Sequence, residues 1–172
     1  MPSDSSDPTI AVTPIGPSAP PGLRLRLDPS LSNEGVLDGG WWPRSRDPDA
    51  ELPELIAGLE SSLGTITRMA LNLGAWDAAP RRIAVDGRRI RVGWFRTMDP
   101  NMIGVTRAFQ DRVALLVVPP HATMAAAEMA MAMAADPTNH ARPADILAAA
   151  GIDAQDSALM APAAAHAGAS TR

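Results

Sequence analysis

Two groups of side chains in this 172-residue sequence have the chemistry of recognition. The first is Trp41-Trp42 followed by Arg44 and Arg46, with Asp38 and Asp47 on either side. A strand sends adjacent side chains to opposite faces. One indole is therefore expected in a core and the other at the surface, against a neighbouring element or beneath an arginine. An exposed indole beside a guanidinium would anchor a base, a sugar ring or a peptide. The structural alternative covers the second Trp with an Arg stem or a helix and uses Asp38 or Asp47 to tie down Arg44 or Arg46. The second group is Arg82, Arg89 and Arg91, with Phe95 available for stacking. Arg82 and Arg91 directly opposite one another are unfavourable unless screened, paired or bridged by an anion. The face either binds phosphate or an acidic partner, or is solvated or neutralised by Asp77, Asp99 or Asp111.

Other chemistries find little support. The chain has no Cys, so disulfides, thiolate zinc sites and Cys nucleophiles are excluded. It has no Lys, so the Walker lysine is missing beside Asp38-Gly39-Gly40. There is no Gly-x-Ser-x-Gly elbow. His121, His140 and His166 sit in or beside turns or near the C-terminus, where a metal site would need carboxylates brought in from elsewhere. No catalytic residue, metal or cofactor is assigned.

The elements that position these groups are legible in outline. Leu23-Arg24-Leu25-Arg26-Leu27 alternates as a strand with its leucines inward. Trp41 to Asp47 reads as a short extended segment entering a turn. Asp47-Pro48 starts a helix whose stripe of Leu52, Leu55, Ile56, Leu59 and Leu63 ends at Gly64. Residues 65–73 form a strand candidate, with Ile66, Arg68 and Ala70 on one face. The Asp86-Gly87 pair between alternating runs marks a type I′ hairpin. It sets Arg82 against Arg91, Ile83 against Ile90, Ala84 against Arg89 and Val85 against Arg88. Strands follow at about 102–108 and 112–118, then helices at about 123–135 and 143–150. The expected class is α+β: a curled antiparallel sheet of five or six strands, tending to a partial barrel, with one helix after the second extended segment and two C-terminal helices. Residues 1–22 read as a disordered Pro/Ser-rich tail, 23–151 as one domain, and 152–172 as a disordered Ala-rich tail. The Met residues of the 123–135 helix suit either soft core packing or an adaptable surface for a partner or a homodimer.

Charge and hydropathy narrow the partners. The formal net charge is −4. Residues 76–112 nevertheless hold 8 Arg against 4 Asp, a local basic excess. No apolar run approaches a membrane span and no secretory signal is present at the start, so a cytoplasmic protein without membrane contact is expected.

The run Asp38-Gly39-Gly40-Trp41-Trp42-Pro43-Arg44-Ser45-Arg46-Asp47 resembles a small actinobacterial family catalogued only as a domain of unknown function. The resemblance continues through Leu71-Asn72-Leu73, Trp76-Asp77, Pro80-Arg81-Arg82, Gly87-Arg88-Arg89 and Leu115 to Pro120, covering roughly residues 23–135. It implies one small bacterial cytoplasmic domain and no particular activity. The leading functional expectation is a non-enzymatic module that binds another protein or an acidic ligand. It uses Trp41, Trp42, Arg44 and Arg46, with Arg82, Arg89, Arg91 and Phe95 as an accessory anion face. The alternatives are a nucleic-acid-associated protein using the Arg face, and an enzyme on a small anionic substrate with Asp38, Asp47 or Asp77 as acid–base groups.

Overall fold

The computed structural model describes residues 22–32, 34–108 and 111–153. The tails expected from the sequence fall almost wholly outside the described residues. Seven strands and three helices follow in the order β1 (Leu25–Leu27), β2 (Gly39–Trp41), α1 (Pro48–Leu63), β3 (Ile66–Asn72), β4 (Arg82–Val85), β5 (Arg88–Phe95), β6 (Met102–Arg107), β7 (Arg112–Val117), α2 (Met124–Ala134) and α3 (Pro143–Ala149). The class is α+β with three helices, as expected.

The sheet departs from the expectation of a curled antiparallel sheet of five or six strands. It has seven strands in one open, mixed sheet of order β1-β2-β7-β6-β3-β5-β4. β2 runs parallel to β7 and β3 parallel to β5. The reason lies in the connections. α1 carries the chain from β2 to β3, so β2 is free to take the β7 edge. The loop 73–81 returns the chain to start β4 on the far side of β5. Since β6 is antiparallel to both β3 and β7, the strands β2, β7, β3 and β5 all point one way.

Local signals explain the elements. Asp47 accepts the Asp49 N–H at 3.0 Å to cap α1, and Gly64, at φ 80°, ends it. The hairpin forms in the register expected, with Asp86 at φ 48° and Gly87 at φ 76°. Thr123 caps α2 through the Ala126 N–H.

The sheet is covered unequally. On one face α1 packs against a core that runs the full width of the sheet, from Trp41 and Leu115 through Met69 and Leu71 to Ile83 and Val92. On the other face α2 and α3 cover only the β2–β7 end, burying Leu116, Val118, Ala127, Ala130, Met131, Ile146 and Leu147, with Ile152 joining them. Met102 of β6 packs at the edge of this second core, and the face is open over β3, β5 and β4. Gly39 and Gly40 permit the crowded end. A Cβ on Gly39 would lie 2.4 Å from the Arg26 carbonyl oxygen, and one on Gly40 would lie 2.8 Å from the Met131 Cα. No helix among the described residues is long and apolar enough to cross a membrane.

Two acids are buried at the β1–β2 end, with opposite consequences. Asp28 accepts the Ser30 hydroxyl at 2.7 Å and the Ser30 N–H at 2.8 Å. These bonds, led by the hydroxyl, hold its carboxyl below the ordinary value. Asp38 accepts the Ala114 N–H at 2.8 Å, but burial outweighs that bond and pushes its carboxyl up. A depressed carboxylate adds stability above its unfolded pKa of about 3.9, and this is lost as pH falls through the folded value. The raised Asp38 costs stability while ionised, and the cost is relieved as pH falls through its folded value. Asp28→Asn is therefore expected to lower the urea midpoint at neutral pH. Asp38→Asn, which keeps an oxygen for Ala114, is expected to leave the midpoint unchanged or raise it. The reverse ranking in urea titrations would contradict these assignments.

Candidate functional site

Trp41 and Trp42 do point to opposite faces, and both faces are covered there. Trp41 is 1 % exposed and stacks on Trp76 with ring centroids 5.6 Å apart and planes 15° apart. Trp42 is 7 % exposed, donates its indole N–H to the Pro119 carbonyl at 3.1 Å, and lies beneath Arg24, whose guanidinium carbon is 3.5 Å from the ring centroid. Arg24 also donates to the Trp42 carbonyl at 3.0 Å and the Pro43 carbonyl at 2.9 Å. Burial, reinforced by the nearby Arg44 charge, lowers its pKa. An exposed Trp anchor is thus not what residues 41 and 42 form. A lone strand alternates inside and outside, whereas this strand lies between α1 and α2.

The arginines that follow are braces. Arg44 pairs with Glu54 at 3.7 Å, and its backbone N–H donates to Glu51 at 3.2 Å. Arg46 holds the loop after β3: its Nε donates to the Ala75 carbonyl at 2.7 Å, and its Nη2 reaches the Gly74 and Ala75 carbonyls. The Arg46 Nη1 is buried with no hydrogen-bond partner. The expected ties from Asp38 and Asp47 are absent: Asp47 caps α1 and Asp38 serves Ala114.

The hairpin arginines are in a different setting. Register aligns Arg68 of β3 with Arg91 of β5, and Arg91 with Arg82 of β4. The line continues through Thr106 of β6 to Arg112 of β7. All four arginines are exposed. At about 4.8 Å per strand, the Arg68–Arg91–Arg82 row spans about 10 Å. Among the described residues the ion pairs are Arg44–Glu54 and Arg88–Glu60, so no carboxylate neutralises this row. Asp77, Asp99 and Asp111 do not pair with it.

The floor beside the row is small. Ala70 and Gly93 stand side by side in β3 and β5, and Gly104 of β6 stands beside Ala70. The Phe95 ring, 50 % exposed, lies so close over Gly93 that a Cβ there would be 2.8 Å from the Phe95 Cε2. The result is a shallow hollow of about 680 Å³, with Arg68, Arg81, Arg82 and Arg91 around it and Phe95 at one side. Arg89 stands two residues before Arg91 on the same exposed face.

The structure thus brings Arg82, Arg91 and Phe95 together and adds Arg68 and Arg81. It places Trp41, Trp42, Arg44 and Arg46 elsewhere, at the carboxyl ends of β2, β7 and β3. There a separate pocket of about 440 Å³ opens between Pro43, Trp76, Val117 and Pro119. His121 lines this pocket, a placement that its position in a turn did not signal. Arg68 was missed because its alternation with Ile66 points inward. A register shift between Ile66 and Arg68 reverses the phase, burying Ile66, Met69 and Leu71 and exposing Arg68.

No curated protein and no solved structure matches the chain. Residues 24–134 match a family model, a span that includes both the hollow and the pocket. That span is more than half of the sequence, and the chain belongs to the family of unknown function DUF5994.

Proposed function

We propose that this protein is a non-enzymatic binding module that takes an acidic segment of a partner protein on the open face of its sheet. The observation that carries the reading is the row Arg68–Arg91–Arg82, in register across three strands and paired with no carboxylate among the described residues. Like charges aligned across neighbouring strands are unfavourable, and an anion relieves the repulsion. Each guanidinium offers a planar fork suited to carboxylate or phosphate. Along an extended ligand, every second side chain projects to the same side, a spacing of about 6.8 Å that a carboxylate run can bring to the row. Thr106 and Arg112 lengthen the track toward β7.

A second reading takes single-stranded nucleic acid as the ligand, and Phe95 favours it. A half-exposed ring beside a guanidinium row is a stacking position for a base. Among the described residues the hollow has no second exposed aromatic, which weighs toward a protein ligand.

The test measures the affinity of the full chain for a fluorescent oligoglutamate peptide and for oligo-dT, with Arg68, Arg82 and Arg91 changed together to Gln. The oligoglutamate is expected to bind, and the triple variant to lose roughly tenfold or more, about 1.4 kcal/mol, with its thermal midpoint retained or raised. Preferential binding of oligo-dT that also requires Phe95 would move the assignment to nucleic acid. Equal binding by wild type and triple variant would remove the row from the account.

A further inference from the structure

The geometry points to a second, independent site: the pocket at the carboxyl ends of β2, β7 and β3 is a receptor for a small organic acid with a flat apolar body. Four strands of the sheet point the same way, and β6, running against them, begins at this end. Its entry residues Pro100 and Asn101 therefore close the gap between the ends of β7 and β3. Crevices beyond the carboxyl ends of parallel strands are where open sheets hold small ligands. The volume of about 440 Å³ lies within the range of about 300–1,000 Å³ common to small-molecule sites.

The exposed lining is mainly apolar, from Pro43, Trp76, Val117 and Pro119, and Arg44, Ser45, Asn101 and His121 border it beside Arg46 and Asp77. Trp76 is held flat by its stack on Trp41, which fixes this wall before any ligand arrives. Arg46 supplies the charge. Two of its nitrogens are spent on the Ala75 and Gly74 carbonyls, neutral partners that leave the positive charge uncompensated. The third, Nη1, is buried and unpartnered. Asp77 also lines the pocket, but it is exposed, makes no ion pair with Arg46, and its backbone N–H donates to the Arg46 carbonyl at 3.0 Å. Arg46 thus lines the pocket as a cation with no carboxylate paired to it among the described residues, and an anion in the pocket would supply that charge. A carboxylate on a flat ring system meets both demands: charge for Arg46 and an apolar plane for the Pro and Trp walls.

The experiment titrates the full chain with 2-naphthoate and with neutral 2-naphthamide, following binding by calorimetry and amide chemical shifts. Saturable binding of the acid, at least tenfold tighter than the amide, is expected, with shifts centred on Trp76 and Val117. Arg46→Gln should erase the difference between acid and amide. Pro100→Trp, a change at an exposed rim position, should weaken both ligands at least tenfold with an unchanged thermal midpoint. It keeps the test decisive if Arg46→Gln loosens the 74–75 loop. Arg82→Gln should change nothing here. Equal affinity for acid and amide, shifts centred on Arg91 and Phe95, or no saturable binding at millimolar ligand would each overturn the proposal.

Discussion

Trp41→Ala is expected to cost about 3–5 kcal/mol of folding stability, the range for deleting a buried aromatic side chain. Trp41 is the largest of the fully buried side chains and is almost wholly excluded from water. It sits at the middle of three mutually dependent contacts. Its strand pairs it with Leu25 on one side and Val117 on the other, and its ring stacks on Trp76. Removing the indole leaves a cavity between strands and α1 that rigid backbone on either side cannot close. Domains of this size are stabilised by only about 5–15 kcal/mol, so a large share of the total is at stake. Trp41→Phe should lose clearly less, because a ring remains to face Trp76. Guanidinium unfolding followed by near-ultraviolet circular dichroism reports both the midpoint and the loss of the stacked pair. A loss below about 1 kcal/mol for the Ala variant would mean that the stack is not a structural centre.

Gly39→Ala and Gly40→Ala are each expected to destabilise by about 1–3 kcal/mol, as overpacking does. What a new methyl group would meet decides the sign. At Gly39 it meets the Arg26 carbonyl oxygen at 2.4 Å and the Leu27 Cα at 3.0 Å; at Gly40 it meets the Met131 Cα at 2.8 Å. These are backbone atoms, which cannot rotate away. The first variant should push β1 from β2, and the second should lift α2 and the second core from the sheet. Gly104→Ala is the control. There a Cβ would meet only the Ala70 Cβ at 3.6 Å and the Met98 Cε at 3.8 Å, ordinary contacts, so a change within about 0.5 kcal/mol is expected. Hydrogen exchange separates the two clamps: Gly40→Ala should speed exchange in α2, and Gly39→Ala in β1. Equal behaviour of all three variants would show that the crowding is not a constraint.

Elements set by local chemistry were legible in the sequence. Asp47, Pro48 and Gly64 bound α1 because caps act within a turn of the chain, and Asp86-Gly87 fixed both turn and register because positive φ at two adjacent positions leaves few options. Sheet order was not legible. The parallel pairing of β2 with β7 joins residues about 76 positions apart, and nothing in Gly39-Gly40-Trp41 names Leu115 to Val117 as its neighbour. The burial of both indoles follows from that unseen pairing, since covering the sheet on two sides at its β2 end leaves no outer face for either ring. The same distinction divides the candidate site. Arg82, Arg91 and Phe95 could be placed together because one hairpin carries them. Arg68 could not, because the bulge in β3 reverses its phase and because β3 meets β5 only through the tertiary fold. Arg46 stood out by type, but its part as a brace with one idle nitrogen depends on where the loop after β3 falls.

The most direct test of the central claim, that the unneutralised arginine row is the ligand-binding face, is chemical-shift mapping of the full chain with oligoglutamate across a salt series. Perturbations are expected along Arg68, Arg91, Gly93, Phe95 and Arg82, fading together as ionic strength rises and the charges are screened. Perturbations centred on other surfaces, or no response along β3, β4 and β5 at low salt, would contradict the account.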